Sequence, residues 1–206
     1  MSLRGSRASI MPTLMNDLKT RISLTAQELF LTEGVEGVSM RRIAERVGVT
    51  ATAIYRHFPN KEAILEEIIG AGLTILSRYL TPALEADDPF KRLKGLIDSY
   101  LRFAIEQPRY FDLAFLVPGP TTHLSQELER HTHATFKLAV EQVGLCMQAG
   151  KFRKGDPIET AVYLWSTAHG LVMLHRMNRF GSNPEEFTRL YRATIDRAIE
   201  GLREQA

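Results

Sequence analysis

Between Ser39 and Lys61 the chain gathers side chains suited to binding a polyanion. Thr52, Tyr55 and Arg56 stand at i, i+3 and i+4, a spacing that puts three hydrogen-bonding groups on one face of a helix. An arginine there has the planar fork that reads the edge of a guanine, and a threonine offers a hydroxyl and a methyl to a base. Tyr55, His57 and Lys61 add donors suited to phosphate oxygens, and Lys61 opens a helix, where backbone N–H groups also favour anions. Two other groupings have chemical potential. His123, Glu127 and His131 repeat every four residues, a ligand-like spacing that is equally the pattern of a solvated polar face. Trp165 and His169 share a helix face and suit either a packed core or a ligand contact.

The elements that must position the Ser39–Lys61 groups are two short helices and a turn. Ser39 predicts an N-cap for a helix from Met40 to Val47, and Gly48 a glycine stop. Thr50 caps a second helix from Ala51 to His57. Ala44, four residues before Gly48, is small enough for the helices to cross closely, as a helix-turn-helix requires. Ile43, Val47, Val49, Ile54 and Phe58 are spaced to form the small core between them. A recognition helix of this kind enters the major groove with its N-terminal residues on the base edges. Upstream, Leu18, Ile22, Ala26, Leu29 and Phe30 mark one buried stripe of a helix from about Pro12 to Glu33, ended by Gly34, with a second bend at Gly37. Residues 1–12 read as a disordered basic arm. Downstream, Asn60 caps a helix from Lys61 to about Tyr79. Pro82 and the acidic run to Pro89 form an internal break. Longer helices follow over about 89–106, 108–117, 123–148, 157–177 and 184–203, the last two announced by Asp156-Pro157 and Asn183-Pro184. The pattern predicts nine helices and no sheet.

The charge distribution supports a nucleic-acid partner for the N-terminal part. Residues 1–61 hold nine basic and five acidic groups, whereas the rest hold seventeen and nineteen. The single cysteine, Cys146, lies in an apolar helical stretch and reads as a small buried hydrophobe. The N-terminus lacks the apolar core of a secretory signal, and no run approaches the ~20 apolar residues of a membrane span. A cytoplasmic protein is therefore expected. No nucleophile–base pair, phosphate loop or Cys/His cluster supports an enzyme, and the sequence calls for no cofactor and no metal. An architectural DNA binder would leave the large C-terminal region without a purpose.

The stretch Ile22-Ser-Leu-Thr-Ala-Gln-Glu-Leu-Phe30, followed by Gly34, Ile43-Ala44, Val47-Gly48-Val49 and Ile54-Tyr-Arg-His-Phe-Pro-Asn-Lys-Glu62, closely resembles the DNA-binding domain of the tetracycline repressor (TetR) family. The resemblance covers roughly residues 18–78. Ser23 and Thr25 are more polar than the family's usual first helix. Carried over by position, the resemblance implies that Ser39, Tyr55, His57 and Lys61 contact phosphates and that Arg41, Ala51, Thr52 and Arg56 face bases, with the helix-capping Thr50 counted in the same DNA-binding set. It further implies an all-α protein with a DNA-binding domain at 13–78 and an effector-binding and dimerising domain at 79–206.

Within the second region, Leu164-Trp165-Ser-Thr-Ala-His169-Gly170 looks like the Trp-x-x-x-His-Gly signature of one C-terminal subgroup of the family. In that resemblance its helix and the last one form a four-helix bundle in the dimer, with Gly170 at a close approach. Phe103, Phe111, Phe115, Trp165 and His169 are the candidate walls of an effector pocket, although aromatic residues at helical spacing equally form plain core. The helix from Lys61 is the expected lever between effector and DNA. The combined expectation is a homodimeric regulator, a repressor by the family's usual mode, that reads a pseudo-palindromic operator and answers to a small apolar effector.

Overall fold

The computed structural model describes residues 17–115, 126–181 and 183–203. Among these residues there are nine α-helices, two short 3₁₀ turns and no strand. The basic arm at 1–12, the first residues of the Pro12 helix and His123 lie outside the described residues, as do the side chains of Glu127 and His131. Packing divides the chain into two compact units: Met1–Gly72 with Arg109–Leu128, and Leu73–Pro108 with Glu129–Ala206.

The first unit is built on α1 (Leu18–Glu33), α2 (Met40–Val47), α3 (Ala51–Tyr55), the first part of α4 (Lys61–Leu80) and α6 (Pro108–Phe115). The α1 stripe buries Ile22, Ala26, Leu29 and Phe30, while Leu18 at its start is half-buried. Ser23 is also buried, and its polarity has a local cause. Its hydroxyl donates within α1 to the Lys19 carbonyl (3.0 Å) and meets the Glu67 carboxylate on α4. Gly34 ends α1 and Val35–Gly37 form a 3₁₀ turn. Helix α6 packs here as well. The Tyr110 ring lies 5.8 Å from Phe30 and fills the space where a Cβ on Gly72 would stand, 3.0 Å away. Arg109 donates from Nη2 to the Thr32 carbonyl at 3.2 Å.

The second unit holds the end of α4, a 3₁₀ turn at Thr81–Glu85, α5 (Pro89–Glu106), most of α7 (Gln126–Gln148), α8 (Pro157–Arg176) and α9 (Pro184–Glu200). The caps expected at Asp156 and Asn183 form, and Asp88 supplies a third. Asp88 accepts from the Lys91 N–H, Asp156 from those of Ile158 and Glu159, and Asn183 from those of Glu185 and Glu186. Proline at the first turn of α5, α8 and α9 costs no hydrogen bond, because that N–H has no helical partner. Leu93, Phe103, Val143, Phe152, Leu164 and Tyr191 make the core. Cys146 is buried, and burial first, then the Asp88 charge, push its thiol up to about 11. A Cβ on Gly170 would meet nothing of the same chain within 4 Å.

Candidate nucleic-acid interface

Helices α2 and α3 meet through the turn at Gly48. Its φ of +76° lies in the left-handed region, where a residue with a Cβ pays roughly 1–2 kcal/mol. That conformation lets the N–H groups of Gly48 and Val49 both reach the Ala44 carbonyl, at 2.9 and 3.0 Å, closing the last turn of α2. Ile43, Ala44, Val47, Ile54 and Phe58 are buried as a small core, with Val49 half-buried at its edge. The Ser39 hydroxyl accepts from the Arg42 N–H, and the Thr50 hydroxyl from the Ala53 N–H, fixing where each helix begins.

Helix α3 ends at Tyr55, two residues earlier than its pattern suggests. Pro59 disfavours helix at Phe58, so the chain tightens into a turn in which His57 and Phe58 both donate to the Ile54 carbonyl. Arg56 keeps helical angles (φ −70°, ψ −25°), so it still stands one turn beyond Thr52.

This geometry leaves Arg41, Thr50, Ala51, Thr52, Tyr55, Arg56 and His57 exposed, with Ser39 and Lys61 half-buried beside them. The charges are sorted. Arg42 is turned back into a two-bond ion pair with Glu33 (2.5 and 2.6 Å) and also bonds the Gly37 carbonyl. Arg46 lies near Glu28 and Glu33. The hydrogen bond from Arg42 holds the Glu33 carboxyl below its ordinary range. Arg41 and Arg56 have no carboxylate partner among the described residues, so the outward face keeps its positive charge. Lys61 donates one N–H to the Val35 carbonyl at 2.9 Å, which leaves two of its three donors. Two features of this site carry no local sequence signal. Arg21 donates to the Val47 carbonyl at 2.6 Å, tying α1 to the end of α2, and Glu33 selects Arg42 over Arg41.

The residues singled out as effector walls are divided between the two units. Phe111 is fully buried and 5.0 Å from half-buried Phe115, both in the first unit. Phe103 is fully buried in the second unit, with the Tyr79 ring edge-on at 5.8 Å. Trp165 and His169 come together with two further aromatics. Trp165 is 41% exposed, 5.9 Å from Phe136 and 5.5 Å from His169, and the His169 Nδ1 is 2.8 Å from the Tyr100 hydroxyl. Burial pushes the Tyr100 hydroxyl up, against the pull of its hydrogen bond with Trp165, and holds the His169 imidazole below its usual range. Among the described residues no group of side chains is arranged to hold a metal, and no helix is long and apolar enough to cross a membrane.

Comparison with known proteins agrees with this architecture. The chain is 43% identical to the tetracycline repressor protein class C of Escherichia coli over 89 residues, 43% of this chain. It spans only 40% of that repressor's length. A solved structure of a protein of unknown function from Rhodococcus sp. RHA1 matches 92% of this chain and 97% of that one at 25% identity, with a TM-score of 0.77. The regulator AibR, solved in complex with isovaleryl coenzyme A and operator DNA, shares the fold at 20% identity and a TM-score of 0.63, over 90% of this chain and 98% of its own. Residues 22–68 match the pattern of the bacterial regulatory proteins of the tetR family, and residues 93–198 that of the tetracyclin repressor-like C-terminal domain. The helix-turn-helix therefore has a family as well as a geometry: the chain belongs to the tetR family of bacterial DNA-binding transcriptional regulators, which are not enzymes.

Proposed function

We propose that this regulator is a cytoplasmic, homodimeric repressor that binds a pseudo-palindromic operator and is released from it by a small, mostly apolar effector. Its DNA-binding domain is 13–78 and its effector-binding and dimerising domain 79–206. The observation that carries the reading is the sorting of charge around α3: Arg42 and Arg46 are neutralised by carboxylates, while Arg41, Thr52, Tyr55, Arg56 and His57 face outward together. Arg56 and Thr52 take the base edges, with Arg41 and Ala51 beside them. Ser39, Tyr55, His57 and Lys61 take the phosphates, and Thr50 holds the helix start against the groove.

Two copies read two half-sites about one helical turn, or a multiple of it, apart. An effector that binds better to a dimer of different spacing weakens operator binding by the same coupling, commonly ~1–3 kcal/mol. Trp165 and His169, with Tyr100 and Phe136, are the favoured effector contacts, because they combine an accessible aromatic face with a hydrogen-bonding pair. AibR, with its acyl coenzyme A and its operator, offers a precedent on the same fold. The test is capture of genomic DNA fragments by the purified protein, followed by footprinting of the recovered site. A two-fold site is expected. A single asymmetric half-site, or fragments with no shared sequence, defeats the proposal.

A further inference from the structure

Helix α9 carries Glu186, Leu190, Ala193 and Arg197, spaced i, i+4, i+7 and i+11. At 3.6 residues per turn these four fall within a sector of about 60°, so they form one straight stripe. All four are exposed, Leu190 by 38%, and they line an open groove of about 460 Å³ whose floor includes Phe180 and Phe187. A stripe with one leucine and one alanine between opposite charges has a particular symmetry. Place a two-fold axis across the helix midway between Tyr191 and Arg192. Glu186 then faces Arg197 of the second copy, Leu190 faces Ala193, and each pairing occurs twice. A parallel alignment instead sets Glu186 against Glu186 and Arg197 against Arg197.

The charges are also available for such a pairing. Arg197 has no carboxylate partner among the described residues. Among the described residues the Glu186 carboxylate meets only Arg189, at 3.9 Å, between side chains that are 63% and 80% exposed. The neighbouring helix α8 packs against α9 and leaves Tyr163, Leu174 and Met177 exposed at i, i+11 and i+14, the face that carries Gly170.

We propose that Glu186, Leu190, Ala193 and Arg197 form a self-complementary antiparallel seam between two copies of this chain, closed at both ends by a Glu186–Arg197 ion pair. The inference rests on the homodimer reading and adds the register and the two residues that make the chain select itself. In an isologous interface each pairing is made twice, so one substitution introduces two like-charge contacts.

The test uses the full chain, with Glu186→Arg and Arg197→Glu made separately. Each variant alone should dimerise at least about tenfold more weakly by sedimentation, because both ends of its seam then carry like charges. Mixed one to one, the two variants should recover native dimerisation as a heterodimer, since both ends become oppositely charged. In native mass spectrometry that heterodimer should exceed the statistical half of all dimers. Recovery on mixing separates a seam effect from misfolding, which mixing does not repair. A native chain that dimerises while both variants dimerise equally well and mix statistically overturns the seam and leaves the dimer standing. A native chain that sediments as a monomer at micromolar concentration overturns both.

Discussion

Lys61 stands where two demands on one ammonium group meet, and Lys61→Ala separates them. In the structure one N–H goes to the Val35 carbonyl at 2.9 Å. Losing that half-buried bond costs about 1 kcal/mol. The same change removes a cation from the first turn of α4, where it opposes the helix dipole, and so returns roughly 0.3–1 kcal/mol. The net loss of stability is under about 1 kcal/mol, a fall in melting temperature of at most ~4 °C for a chain of this size. The effect on DNA is larger. Each phosphate contact contributes about 0.9 to the slope of log affinity against log salt. A dimer loses two such contacts, about 1.8 units of slope, or roughly 60-fold in affinity near 0.1 M salt if the 1 M affinities agree. Fluorescence anisotropy with an operator duplex at four or five salt concentrations measures the slope, and calorimetry measures the melting. The weakening should be the same for operator and unrelated duplexes, and Lys61→Arg should restore the slope. A fall of ten degrees with an unchanged slope would refute the assignment and leave Lys61 as a strut for the Val35 turn.

Arg56→Ala should instead relax discrimination at one base position per half-site, by about 1–3 kcal/mol, in a binding selection against randomised operators. If Arg56→Ala keeps sequence preference and Lys61→Ala changes it, the roles are reversed. Phe111→Ala should cost about 3–5 kcal/mol of stability because the ring is fully buried, whereas Trp165→Ala, at 41% exposure, should keep fold and operator binding and lose the effector response. Equal melting temperatures for the two variants would show that Phe111 is not core. Burial holds His169 below the ordinary 6.5, so the folded chain resists protonation there. Its contribution to stability is complete above pH 6.5 and is lost as the pH falls through the lowered folded value. The His169 Nδ1 lies 2.8 Å from the Tyr100 hydroxyl, and once the ring is protonated that nitrogen can only donate to the tyrosine oxygen. Melting followed from pH 7.5 to 5.5 should fall less steeply for His169→Gln than for the native chain; parallel curves would remove His169 from the acid response.

The parts of this protein set by neighbours within four residues are legible in its sequence. Ser39, Thr50, Asn60, Asp88, Asp156 and Asn183 each accept from an N–H two or three residues ahead, and each opens a helix where the pattern places one. Gly48 takes the one conformation that favours glycine. The exposed face of α3 follows from the same local geometry. Partners fixed by distant residues are not legible. Arg41 and Arg42 are adjacent and chemically identical, yet only Arg42 meets Glu33, nine residues away across the Gly34–Gly37 turn. Lys61 and Val35 are 26 residues apart, as are Arg21 and Val47. Trp165 reads equally as core or contact in the sequence, and only the structure shows that it is 41% exposed.

Helix α6 shows most directly what chain order conceals. In sequence, Pro108–Phe115 sits between the long helices α5 and α7, and its aromatics suggest a pocket wall. By packing it belongs with the DNA-binding helices. Tyr110 lies against Phe30 and against Gly72, where its ring leaves no room for a side chain. Arg109 brings a cation to the Thr32 carbonyl at the C-terminal end of α1, the end where the helix dipole favours positive charge. These contacts span 38 to 80 residues of sequence, and neither tyrosine nor arginine announces them by type. Their consequence is that a substitution in α6 acts first on the unit carrying the recognition helix. Phe111 is fully buried in that unit, so its replacement is expected to act on the stability of the DNA reader.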